Sequence, residues 1–138
     1  MADAGYSKRR LSEKLGMKPG HRIAVLHAPA GYKSLLGELP AGSQITSGRG
    51  RGLDFIHLFS RSRAALKQDF PKAKARLKPD GMLWVSWPKL SSSLAGDLTE
   101  NVVRDVGLAN GLVDVKVAAI DLDWSGLKFV FRLQDRPK

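Results

Sequence analysis

Two spacings of apolar residues alternate along the chain: short continuous runs bounded by turn residues, and stretches in which apolar positions recur three or four residues apart. RIAVLHA, Arg22–Ala28, lies between Pro19-Gly20 and Pro29 and has the length and unbroken hydrophobicity of a strand covered on both faces. LDFIHLF, Leu53–Phe59, has the same character, and KPDGMLWVSWPK predicts a Pro-Asp-Gly turn feeding a strand over Met82–Trp87. Ser43–Ser47 reads as a weaker strand, and the following SGRGRG, Ser47–Gly52, is too rich in glycine and charge for anything but a loop.

Helices are predicted between these runs. Leu11 and Leu15 stack at i, i+4 in a short helix that Ser7 can cap and Gly16 ends, with a turn at Met17–Gly20. Tyr32, Leu35 and Leu36 mark a brief helix closing near Gly37 or Pro40. After Ser62, Leu66, Phe70, Ala73 and Leu77 share one helix face, and Pro71 breaks or kinks the rod, so one helix and two in series fit equally. Asp97 with Glu100 three residues on has the form of a capping box, before a helix that buries Leu98, Val102, Val103 and Val106. The chain closes with strands Val113–Leu122 and Gly126–Leu133 joined at DWSG. In the second, Leu127, Phe129, Phe131 and Leu133 alternate with Lys128, Val130 and Arg132, which buries one face and wets the other.

Strands alternating with helices predict an α/β fold: a three-layer, Rossmann-like, mostly parallel sheet finished by a terminal antiparallel strand pair. A chain of 138 residues is expected to form one domain, residues 1–138, with a basic segment and short helix over 1–20 and a short tail over 134–138. Cysteine is absent, which removes disulfides, thiolate metal sites and a cysteine nucleophile together. His21, His27 and His57 are far apart in sequence and form no metal-ligand spacing, so no metal site is predicted. The N-terminus lacks an apolar signal region and no apolar run reaches membrane-spanning length, so a cytoplasmic protein without membrane contact is expected.

Charge adds the strongest compositional signal. Lys and Arg number 23 against 13 Asp and Glu, a formal charge of +10, which attracts nucleic acid, anionic small molecules or acidic partners without choosing among them. Lys8, Arg9 and Arg10, Arg49 with Arg51, Arg61 with Arg63, and Lys72, Lys74, Arg76 and Lys78 carry most of the excess. The last group is spread around the solvent side of a helix, and aromatic residues are not interleaved with the basic ones, so a solvated surface is favoured over nucleic-acid binding.

The order of elements resembles the Rossmann-like core of the S-adenosylmethionine-dependent methyltransferases, most closely at ARLKPDGMLWVSW, residues 75–87, and at the closing strand pair around DWSG. APAGY (28–32), WPK (87–89), DLTENVVR (97–104) and WSGLKFVFR (124–132) further resemble a family of small bacterial proteins, a domain of unknown function that implies a fold and no activity. Methyltransferases of this kind place a G-x-G-x-G-like turn after the first strand and a carboxylate after the second, to admit the cofactor and hold its ribose. Here Gly31 stands alone among Ala28, Pro29 and Ala30, and the second strand is followed by Ser47, Gly48 and Arg49. One strand–helix unit also reads as missing, replaced by the RGRG loop.

Ligands of open α/β sheets sit beyond the carboxyl ends of the strands where strand order reverses. The methyltransferase order puts that point between the strands ending at Ala28 and Phe59, with the strand ending at Trp87 next along. The candidate ligand edge is therefore His27, Ala28, Pro29, Gly31, Tyr32, Ser60, Arg61, Trp87 and Lys89. Adjacent strands are expected to bring His27 and His57 into one neighbourhood. Each reads more simply as a side chain satisfied by backbone than as an acid–base pair, since no nucleophile visibly completes the arrangement. Trp84 and Trp87 differ in parity and so face opposite sides of the sheet. Lys89 is expected to meet an anion or to pair with Asp97, and Asp97 and Glu100 read as caps.

The leading expectation is a non-catalytic binding or regulatory module for a small anionic ligand or a protein partner, with no cofactor. The alternatives are an enzyme that binds S-adenosylmethionine or a nucleotide, and a basic nucleic-acid-binding protein. The chain is expected to be a monomer, or a homodimer through an edge strand that Lys116 would guard against open-ended pairing.

Overall fold

A computed structural model describes residues 10–46 and 50–136. The elements are α1 (Leu11–Lys14), β1 (Arg22–Leu26), α2 (Tyr32–Leu36), β2 (Gln44–Ile45), β3 (Leu53–Phe59), α3 (Arg63–Arg76), β4 (Leu77–Pro88), α4 (Glu100–Ala109), β5 (Leu112–Ala119) and β6 (Trp124–Phe131), followed by a turn of 3₁₀ helix at Leu133–Asp135. The strands form one six-stranded sheet in the order β2-β1-β3-β4-β6-β5. β2, β1, β3 and β4 are parallel, and β6 is antiparallel to both β4 and β5. The expected fold class is thus observed, and between β2 and β3 the described residues hold no helix.

Each face of the sheet has its own core. One contains Ala24, Leu58, Leu66, Phe70, Val85, Val103 and Phe129 and lies under α3 and α4. The other contains Leu15, Ile23, Tyr32, Leu36, Phe55, Phe59 and Trp84 and lies under α1 and α2. Strand alternation produces this division: in β3, Phe55 and Phe59 enter the second core while Ile56 and Leu58 enter the first. Trp84 and Trp87 likewise part to opposite faces.

The structure corrects several boundaries. β1 ends at Leu26 rather than Ala28, because His27 adopts a left-handed backbone (φ 60°) that turns the chain out of the sheet. α3 is a single helix that carries Pro71 internally, and its buried face of Leu66, Phe70 and Ala73 continues across the proline. It is capped by Ser62, whose Oγ accepts from the Ala65 amide. The Lys-Pro-Asp-Gly segment does not precede β4 but lies inside it: Leu53 pairs with Leu77 and Phe55 with Met82, so the predicted turn survives as a wide bulge.

At the C-terminal pair, β5 stops at Ala119 and β6 begins at Trp124, because the Asp121 carboxylate accepts the amides of Asp123 and Trp124 and closes the turn earlier than DWSG. Leu133, expected on the buried face, is 79% exposed beyond the strand. β2 shrinks to Gln44–Ile45. α1 starts after Arg10 with no side-chain cap; Ser7, Ser47, Gly48 and Arg49 lie outside the described residues. α4 is capped by Thr99, whose Oγ1 accepts from the Val102 amide. Asp97, expected at that position, instead accepts the Arg63 amide at the start of α3, and Glu100 bonds Arg104.

Candidate functional site

Strand order reverses between β1 and β3, the switch point expected from the sequence. There β1 gives way to a tight turn. His27 leaves the sheet in its left-handed conformation, and Gly31 (φ 85°) caps α2 with open space where a side chain would stand. Only glycine takes that φ without strain, which explains why one glycine remains in a turn otherwise made of Ala28, Pro29 and Ala30. The strained His27 marks the same turn from its other end.

Two openings flank it. On the α2 side a cleft of about 530 Å³ is bounded by Val25, Ala28, Pro29, Gly31 and Tyr32, with Lys33 and Ser34 at its rim and Ile45 of β2 as its far wall. This is within the range of small-molecule sites. It adjoins a second hollow along α2 and β2, with Lys33 and Ile45 common to both. On the α3 side a smaller opening of about 390 Å³ is lined by His27, Phe59, Ser60, Arg61, Asp69 and Trp124. There His27 Nε2 stands 3.4 Å from the Asp69 carboxylate, with His27 largely exposed.

His57 behaves differently. It points to the α2 face, fully buried between Phe55 and Phe59, stacked on Phe59 at 4.1 Å. Its Nδ1 is 2.6 Å from the Tyr32 hydroxyl and its Nε2 is 2.7 Å from Ser86 Oγ. Desolvation lowers its pKa to about 3, and burial raises that of the Tyr32 phenol, so both stay neutral at physiological pH. The Tyr32–His57–Ser86 chain has the atom order of a base between two hydroxyls. His57 and Ser86 are nevertheless sealed from solvent and Tyr32 nearly so, and the chain ties α2 to β3 and β4.

The expected neighbourhood of His27 and His57 is therefore not formed. The two rings lie on opposite faces, one against α3 and the other under α2, because His27 falls after the strand has ended. Among the candidate residues, Ala28, Pro29, Gly31 and Tyr32 line the first cleft and His27, Ser60 and Arg61 the second opening. Ser60 is mostly buried and its Oγ bonds the Ser62 carbonyl. Trp87 and Lys89 are placed elsewhere. Trp87 is buried in the core beneath α3 and α4. Lys89 is not paired with Asp97: its Nζ donates to the Asp121 carbonyl at 2.7 Å and its amide to that of Asp123, fastening the end of β4 to the β5–β6 turn. Lys33, Ile45 and Asp69 line these openings and were not among the sequence candidates. Lys33 had a readable signal, standing in the first turn of the helix after the loop; Asp69 had none.

A mostly parallel sheet in this order, closed by an antiparallel pair and flanked by helices on both faces, is a Rossmann-like fold similar to that of S-adenosylmethionine-dependent methyltransferases. Solved structures of that fold superpose on it. An S-adenosylmethionine-dependent methyltransferase from Aquifex aeolicus aligns with a TM-score of 0.59 at 13% identity, covering 85% of each chain. Fibrillarin from Aeropyrum pernix, in complex with natively bound S-adenosyl-L-methionine, aligns with a TM-score of 0.57 at 12% identity, over 87% of this chain and 73% of its own. A possible exported protein from Bordetella parapertussis aligns with a TM-score of 0.62 at 14% identity, over 88% of this chain and 65% of its own, so this chain spans less than two thirds of that protein's length. No protein-family model and no curated protein matches the sequence. Among the described residues, no helix is long and apolar enough to cross a membrane and no group of three metal-ligating side chains is assembled.

Proposed function

We propose that the chain binds a nucleotide-class ligand, an adenosine-type base carrying phosphate, in the cleft between the β1–α2 turn and β2. The lining carries this reading: an apolar wall of Val25, Ala28, Pro29 and Ile45 for a base, Lys33 at the rim, and no carboxylate among the described lining residues. The fold neighbours lend more support to a ligand of the S-adenosylmethionine or nucleotide class than to a module for a protein partner.

S-adenosylmethionine itself fits the cleft in size and not in polar complement. Its sulfonium is a cation, whereas Lys33 beside the cleft favours negative charge, which a nucleotide's phosphates supply. The role we assign is binding without group transfer. Tyr32, His57 and Ser86 are engaged with one another and buried, and His27 faces Asp69.

Isothermal titration with ADP, ATP, S-adenosylmethionine and S-adenosylhomocysteine tests the reading. Saturable binding of the nucleotides, weakened about tenfold or more by Lys33→Glu through loss of a charge-assisted hydrogen bond, is the expected result. Tighter binding of S-adenosylmethionine would move the chain to the cofactor-binding class, and no heat with any of the four would remove the proposal.

A further inference from the structure

At the opposite edge of the sheet, on the face that carries α1 and α2, lies a group of lysines that the cleft does not use. β6 directs Leu127 and Phe129 into the core under α3 and α4, so Lys128 between them faces the other way. β5 pairs with β6 in regular register from Leu112–Phe131 to Asp114–Phe129, and Val115 is then inserted as a bulge. The extra residue shifts the register by one and sets Lys116 directly opposite Lys128, on the side of Ala118, which packs against the α1–α2 core. Without the bulge Lys116 would pair with Leu127 and face the other side. Asp114, just before the bulge, is turned to Arg104.

A third cation arrives from the turn after α1. The Trp84 indole N–H donates to the Leu15 carbonyl at 2.8 Å and Met17 is buried, which anchors this turn against β4 on the face that Lys128 occupies; the charge of Lys18 adds to the lowering of the Lys128 pKa. Lys14 is committed elsewhere, to the Ala119 carbonyl. Like charges directly opposite on adjacent strands oppose folding. Burial and then the charges of Lys116 and Lys18 lower the pKa of Lys128, while Asp54 and Asp80 are engaged with Lys78.

We propose that Lys18, Lys116 and Lys128 form a binding site for a phosphate group, separate from the β1–α2 cleft. A bulge that places two lysines face to face, with the charge of a third added to theirs, is accounted for by an anion shared among them. The phosphate belongs either to a free phosphorylated molecule or to a nucleic-acid backbone, which present the same chemistry.

The test follows the Lys128 side-chain NMR signals of the full chain during titration with inorganic pyrophosphate and, separately, with a short mixed-sequence single-stranded oligonucleotide. Saturable shifts with pyrophosphate identify a free ligand, and shifts with the oligonucleotide alone identify the backbone. Lys116→Gln and Lys128→Gln are each expected to weaken binding roughly tenfold, the loss of one charge-assisted contact. A second readout separates binding from a structural role. Without anion, these variants melt no lower than the parent, since a like-charge pair is relieved, and the bound probe raises the melting temperature of the parent alone. Lys33→Glu leaves all of this unchanged, which keeps the test independent of the cleft. Neither probe moving the Lys128 signals, or Gln variants binding as the parent does, would overturn the proposal.

Discussion

Lowering the pH from 7 to 5 is expected to destabilise the fold through His57, by an amount that follows from its surroundings. In the unfolded chain the ring titrates near its ordinary value of 6.5; in the folded protein desolvation depresses it to about 3. Between these values the unfolded state binds a proton that the native state refuses. The stability His57 supports is therefore complete above pH 6.5 and is lost as pH falls toward 3. At about 1.4 kcal/mol per pH unit in that window, the loss between pH 7 and pH 5 is about 2 kcal/mol, a sizeable part of the ~5–15 kcal/mol typical of a domain. Burial also lowers the pKa of His21, which adds a slope of the same sign, so the measurement must be a difference.

Urea unfolding of the parent at pH 7 and pH 5 should be compared with the triple variant Tyr32→Phe, His57→Phe, Ser86→Ala. This variant replaces the whole hydrogen-bonded chain by apolar groups of similar shape and leaves none unpaired. It is expected to lose about 2 kcal/mol less than the parent over the same interval. Equal losses in the two proteins would refute the reasoning, because they would mean that His57 is not held neutral by burial.

Two further outcomes follow from packing and capping. Gly107→Ala sets a new methyl carbon 2.0 Å from the Phe129 ring, itself packed edge-on against Phe70, and is expected to cost about 1–3 kcal/mol or more in a thermal melt; a neutral effect would mean that α4 can move away from β6 without penalty. Thr99→Ala should lower stability by about 1 kcal/mol through loss of the α4 cap. Asp97→Ala should act on the start of α3, so that amide hydrogen exchange rises at Arg63 rather than at Val102, and the reverse pattern would contradict the assignment.

The sheet was largely legible because its signal is local. Leu53–Phe59 is buried along both faces and reads as one apolar run, and its ends agree residue for residue. Pro71 and the Lys-Pro-Asp-Gly segment misled because neighbouring contacts outweighed their intrinsic preference: the helix face on either side of Pro71 is already committed to the core, and β4 resumes pairing after its bulge. The site was legible to the level of the turn and not beyond. Ala28, Pro29, Gly31 and Tyr32 line the cleft because strand order fixes where β1 ends. The partners of the polar residues are distant in sequence: His57 bonds Tyr32 and Ser86, and Lys89 donates to a carbonyl near the β5–β6 turn. No spacing rule encodes such pairs. His27 was misplaced because two residues at the end of a strand decide whether a side chain belongs to the sheet or to the turn.

The bulge at Val115 also bears on how the molecule tolerates crowding. β5 is the outer strand on its side, and Val115 and Val117 are more than half exposed along it, an apolar row of the kind that recruits a strand from another molecule. One inserted residue twists that border out of regular register, and Lys116 at its centre imposes a desolvation penalty on any chain that aligns there. The irregularity that brings two lysines together inside the sheet is therefore also expected to discourage its border from serving as a template for aggregation.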